Sequence, residues 1–128
     1  MRTTVVTNMP VSILWDYREF KRDEVPAPAV PFHHDHTLDE IVQYVQQHGI
    51  EPVELSVVKD RALLTDGNHR LVAARRLGIE KIQVNVTVFF GDGAEVFYHH
   101  TLERFRTIQG MLEVQLKRLF LYKTDRKV

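Results

Sequence analysis

Asp66-Gly67-Asn68-His69-Arg70 packs a carboxylate, an amide, an imidazole and a guanidinium into five residues around a glycine. The apolar run before it, Ala62 to Thr65, reads as a strand, and His69 to Leu77 reads as a helix stopped by Gly78. A strand would thus deliver Asp66 and Gly67 to a helix start. There the backbone N–H groups of the first turn lack intrahelical partners and the macrodipole is positive. Gly67 has no side chain, so a ligand can come close to the backbone. Asn68 and His69 can donate hydrogen bonds, and Arg70 adds a permanent charge with a two-pronged fork. This combination suits an anion, a phosphate group above all. Asp66 is the odd member, because a carboxylate repels phosphate; a metal ion, or a proton to be accepted, would explain it. The same residues have a purely structural reading. Asp66 can cap the helix, Gly67 can make the turn, and Arg70 can pair with a surface acid.

The elements that would carry this turn are legible in outline. Thr37 and Glu40 fit a capping box, and Leu38, Ile41, Val42 and Val45 form an apolar stripe, so a helix is expected over about 38–48. Gly49 and Pro52 suit its end. Val53, Leu55 and Val57 alternate with Glu54 and Ser56, Lys59-Asp60 is a turn, and Ala62 to Thr65 completes a hairpin. Ile82, Val84, Val86, Val88 and Phe90 alternate over nine residues and predict a strand, ended by Gly91-Asp92-Gly93. Residues 3–15 read as one or two short strands, and 16–24 as a charged surface stretch. Pro26, Pro28 and Pro31 mark an extended connector. Leu102, Phe105, Ile108, Leu112, Leu116 and Leu119 recur every three or four residues, which predicts a long amphipathic helix over about 101–121, weakened by Gly110.

The stretch TDGNHRLVAARRLG followed by IEKIQVNV resembles the ParB N-terminal/sulfiredoxin-like superfamily, as does LDEIVQYVQQHGIEPVELSV before it. The resemblance covers about residues 36–88. It implies a small mixed sheet flanked by helices, with the Gly-centred turn as the site. In partition proteins of this family the turn reads Gly-Glu-Arg-Arg and holds the triphosphate of CTP; Gly67 and Arg70 match, and Asn68 and His69 do not. In sulfiredoxins it reads Gly-Gly-Cys-His-Arg. Asn68 stands at the cysteine, and the chain has no Cys, which excludes sulfinic acid reduction by that mechanism. A free-serine kinase branch carries Asp-Gly-His-His-Arg, which the present turn matches best. That branch implies a catalytic role for Asp66, with an upstream carboxylate for which Asp35 is the candidate by spacing. Other members are called nucleases, although no cluster of metal-binding carboxylates is evident. Partition proteins add a helix-turn-helix module after this domain, whereas the residues after Phe90 read here as one helix.

Composition narrows the classes further. The 128 residues, 44% hydrophobic and 27% charged, suit one globular domain, read as N-terminal strands and connector (1–30), motif-bearing core (31–90) and C-terminal helix (91–128). Seventeen basic and seventeen acidic residues give zero net charge, so bulk binding of nucleic acid is not indicated. Without cysteine, disulfide scaffolds, thiolate metal sites and cysteine nucleophiles are excluded. No apolar run can cross a bilayer and no secretory signal is evident, so a cytoplasmic setting is expected.

His33-His34-Asp35-His36 can bind a metal, can lean over the turn with His34 or Asp35, or can be a solvated loop. His99-His100 reads as a surface turn, and His48 as a helix-end residue suited to the dipole. Trp15 reads as core or interface, and Arg75 and Arg76 as solvated, with Arg75 within reach of a nucleotide. The expected fold is α/β (α+β). The expected catalytic residues are Asp66, His69 and Asp35, and the cofactor-binding residues are Gly67, Asn68, His69 and Arg70; any metal ligands are unknown. The expected cofactor is a nucleoside di- or triphosphate (ATP, ADP or CTP), with Mg²⁺. The basic C-terminal segment can touch nucleic acid, and its apolar stripe can pair with a second copy. The leading function is nucleotide binding with phosphoryl transfer or hydrolysis. The alternatives are a non-catalytic nucleotide- or DNA-associated regulator, and a nuclease.

Overall fold

A computed structural model describes residues 2–18, 38–90 and 104–119. In chain order the elements are β1 (Arg2–Pro10), α1 (Val11–Trp15), α2 (Leu38–His48), β2 (Val53–Val58), β3 (Arg61–Asp66), α3 (Asn68–Arg76), β4 (Lys81–Phe89), β5 (Arg106–Thr107) and α4 (Gly110–Arg118). They form a mixed α/β fold. The five strands make one sheet in the order β1-β4-β2-β3-β5. Strand β4 runs parallel to β2, and every other neighbouring pair is antiparallel.

Alternation in the sequence becomes two faces of the sheet, as the period of a strand requires. Val53, Leu55 and Val57 of β2 and Ile82, Val84, Val86 and Val88 of β4 are buried in the main core with Leu71 and Ala74 of α3. The opposite side of β4 carries Gln83, Asn85 and Thr87, none of them buried. A second cluster joins Val58, Leu63, Phe89 and Phe105. The hairpin turns at Lys59-Asp60, where Lys59 adopts a left-handed φ of 55°. Helix α2 ends as expected: Gly49, at φ 83°, donates its N–H to the Val45 carbonyl at 2.8 Å.

Two expectations need correction. The N-terminal segment is a strand followed by a helical turn, rather than strands throughout. Val11 donates its N–H to the Glu80 carbonyl at 2.9 Å, and Val11 and Leu14, three apart, turn into the core. The C-terminal segment is also not one long helix. Arg106 and Thr107 pair with β3, and Gly110, at φ 53°, takes up a left-handed conformation where the nine-residue α4 begins. The Ile108 N–H is held by the Asp60 carbonyl at 2.7 Å and the Gln109 N–H by the Tyr17 hydroxyl at 3.0 Å. The apolar spacing is genuine but serves three separate pieces. Phe105 enters the second cluster, while Ile108, Leu112 and Leu116 enter the main core. Of the leucines in that stripe, Leu112 and Leu116 are buried within the chain and Leu119 partly so, while Leu102 lies outside the described residues. Among the described residues no helix is long and apolar enough to cross a membrane.

Candidate functional site

The turn between β3 and α3 depends on a glycine for two reasons. Gly67 sits at φ 105°, ψ 21°, a backbone conformation that side chains disfavour. A Cβ there would also stand 2.5 Å from Val53 Cγ1, so β2 closes the space behind it. The first bond within the helix runs from the Leu71 N–H to the Gly67 carbonyl at 2.8 Å. The N–H groups of Asn68 and Arg70 therefore lie in the first turn, ahead of that bond. A glycine cap brings no side-chain acceptor to them, and no acidic residue stands in that turn.

Arg70 lies across the turn, partly exposed. Its Nη1 donates to the Pro52 carbonyl at 2.6 Å, and its Nη2 donates to Asp66 Oδ2 at 2.8 Å. Glu51 adds a carboxylate 4.0 Å from Nη1. Asp66 is strongly exposed, at 68%, so this is a surface i,i+4 pair rather than a buried one. Among the described residues, two of the five guanidinium N–H donors are engaged in hydrogen bonds. Arg70 also lines a cleft of about 550 Å³ against α2, with Glu40, Ile41, Tyr44 and Glu51.

The inner side of the turn is built from residues the sequence reading placed on the surface. Arg18 is 1% exposed, and its Nε donates to Asn68 Oδ1 at 3.2 Å. Its guanidinium carbon lies 4.1 Å from a Trp15 ring centroid, as does that of Arg75. Arg75 is exposed, as expected, and it stacks on Trp15 rather than lining the Arg70 cleft. Arg76 does stay on the surface, 3.7 Å from Asp39. Tyr17 is also buried. Burial pushes its phenol above the usual tyrosine range, the hydrogen bond from the Gln109 N–H offsets part of this, and the Asp16 carboxylate adds to it. An arginine in a charged run gives no local sign of burial; a nearby Trp is the one hint the sequence offers.

The structure gathers Asp66, Gly67, Asn68, His69 and Arg70 at one turn. Asp35, with His33, His34 and His36, lies outside the described residues, as do His99 and His100 and the Thr37 half of the capping box. His48 stacks on Tyr44 with ring centroids 4.2 Å apart, and its Nδ1 is 3.1 Å from the Tyr44 carbonyl. Among the described residues no three His, Asp or Glu side chains gather in a metal-binding cluster. Glu54 escaped the sequence reading. It stands opposite Asp66 in the β2–β3 ladder, and its Oε2 is buried with no hydrogen-bond partner among the described residues.

No protein-family profile and no curated protein matches this chain. Among solved structures it is similar to a Pnob8-like ParB-N domain, at 19% identity over 74% of this chain and 33% of that one, with a TM-score of 0.47. The present chain thus spans about a third of the length of that structure.

Proposed function

We propose that the chain binds the phosphates of a nucleoside di- or triphosphate at the first turn of α3. The observation that carries this reading is the glycine-capped first turn, free of acidic residues, with the guanidinium of Arg70 beside it. Backbone N–H groups and the helix dipole favour a phosphate oxygen there, and Arg70 adds charge. Resemblance of the Asp66-Gly67-Asn68-His69-Arg70 motif to nucleotide-using members of the superfamily supports the same reading. Zero net charge favours a small anion over a nucleic acid backbone.

A thermal-shift series with ATP, ADP, CTP and GTP, each with and without Mg²⁺, tests it on wild type and Arg70→Ala. A nucleotide at 100 times its Kd stabilises the fold by about 2.7 kcal/mol. The expected result is a shift with at least one nucleotide that disappears in Arg70→Ala. No shift with any of the four defeats the reading.

The exposure of Asp66 favours a second reading, phosphoryl transfer or hydrolysis. Only Oδ2 holds Arg70, which leaves Oδ1 able to accept a proton or to hold Mg²⁺ beside the phosphates. His69, in the same turn, would donate to the transferring group. Asp66→Asn is then expected to abolish turnover while nucleotide binding persists or tightens. A wild-type protein that binds nucleotide and never turns it over is a binding module instead.

A further inference from the structure

Arg18 is the buried charge among the described residues, and its partner at the turn is an amide that can in principle face either way. A guanidinium carries N–H donors and no acceptor. It can therefore bind only the oxygen of Asn68, and the 3.2 Å contact from Nε to Oδ1 settles the amide's orientation. Nδ2, with two N–H donors, must then face away from Arg18. Asn68 is partly exposed, and its Nδ2 makes no hydrogen bond among the described residues.

Arg18 is itself tightly held. Its guanidinium stacks on Trp15, its N–H donates to the Trp15 carbonyl at 3.3 Å, and its carbonyl accepts from Arg106 Nε at 3.2 Å. These contacts come from α1 and β5, elements outside the motif.

We propose that Arg18 is a positioning residue for anion binding. It locks the Asn68 amide so that Nδ2 joins the backbone N–H groups of α3 as a donor to a phosphate oxygen. The inference rests on the phosphate-binding reading of the turn, and adds a residue fifty positions upstream to the site. It also accounts for an uncharged Asn at position 68. An Asp there would satisfy Arg18 equally well but would present a carboxylate to the phosphate.

The test titrates the full chain with MgATP, MgCTP and inorganic triphosphate by calorimetry, alongside thermal denaturation. The proteins are wild type, Asn68→Ala, Asn68→Asp, Arg18→Met, the Arg18→Met/Asn68→Ala double variant and Arg70→Ala. Asn68→Ala is expected to weaken binding about tenfold, the worth of a hydrogen bond to a charged group. Arg18→Met is expected to weaken it several-fold, and the double variant no more than Asn68→Ala alone, because Arg18 acts through Asn68. Asn68→Asp is expected to lose more than tenfold with its Tm kept or raised.

Wild-type affinity in Arg18→Met or in Asn68→Asp overturns the proposal, as do effects that multiply in the double variant. If Arg18→Met does not fold, Asn68→Asp decides: lost binding at unchanged Tm supports the role, and retained binding overturns it. Binding lost in Arg70→Ala but kept in Asn68→Ala overturns the positioning role alone. A folded wild type that binds none of the three ligands defeats the phosphate reading and this inference together.

Discussion

The two sides of the α3 first turn are built on different principles. On the outer side Asp66 and Arg70 are four residues apart, exposed or partly so, and joined by a 2.8 Å ion pair. On the inner side Arg18 and Asn68 are fifty residues apart, and Arg18 is buried against Trp15. Exposed pairs of the first kind contribute about 0–1 kcal/mol, so their charge can serve a ligand with little loss of stability. Buried polar contacts cost far more to break, because the group left behind stays dry. The outer side is therefore suited to chemistry and the inner side to framework.

Gly67→Ala tests whether the turn is common ground to both sides, and carries the largest expected effect. A left-handed alanine and a Cβ driven 2.5 Å from Val53 together cost about 3 kcal/mol, read as a fall in the denaturant midpoint. Next comes the inner side alone. Arg18→Met is expected to destabilise by about 2 kcal/mol, whereas Arg70→Ala costs about 1 kcal/mol or less and still removes nucleotide binding. Equal losses of stability in urea unfolding would erase the contrast between the two sides.

Tyr17, next to Arg18, offers a smaller probe through pH. Its folded-state pKa is raised by burial, so its share of stability is complete below the unfolded value and declines as pH climbs above about 10. Tyr17→Phe is expected to cost about 1 kcal/mol at pH 8, by orphaning the Gln109 N–H, and to flatten the alkaline loss of Tm between pH 8 and 10.5. A variant with the same alkaline slope as wild type would show that other groups carry it. The smallest effect belongs to Asp66→Asn. Its stability is expected to change by about 0.5 kcal/mol. Removing the carboxylate beside Arg70 should tighten phosphate binding a few-fold, the size of one unit-charge contact near water.

Much of this arrangement was legible before any coordinates. Alternation over residues 53–57 and 82–90 becomes β2 and β4, and the stripe from Leu38 to Val45 becomes α2, because each pattern has a single period that one element can satisfy. The C-terminal stripe misled for a physical reason. Phe105, Ile108, Leu112 and Leu116 do all turn inward, but spacing cannot tell one long helix from a short strand, a left-handed glycine and a shorter helix. Gly110, left-handed at φ 53°, marks the break. Likewise Val11 to Trp15 is too short for a helical period to show against the strand that precedes it.

By itself the sequence determined the local parts of this protein: the strand and helix faces, and the turn at Gly67 that gathers Asp66, Asn68, His69 and Arg70. Each of these depends on residues only a few positions apart, whose geometry the backbone dictates. The tertiary structure decided what comes from afar. It set Arg18 beneath Asn68, laid Arg75 on Trp15, brought the Pro52 carbonyl to Arg70 and joined β5 to β3. Those partners meet only because the sheet and its helices bury apolar surface as a whole, and no short window of sequence contains that information.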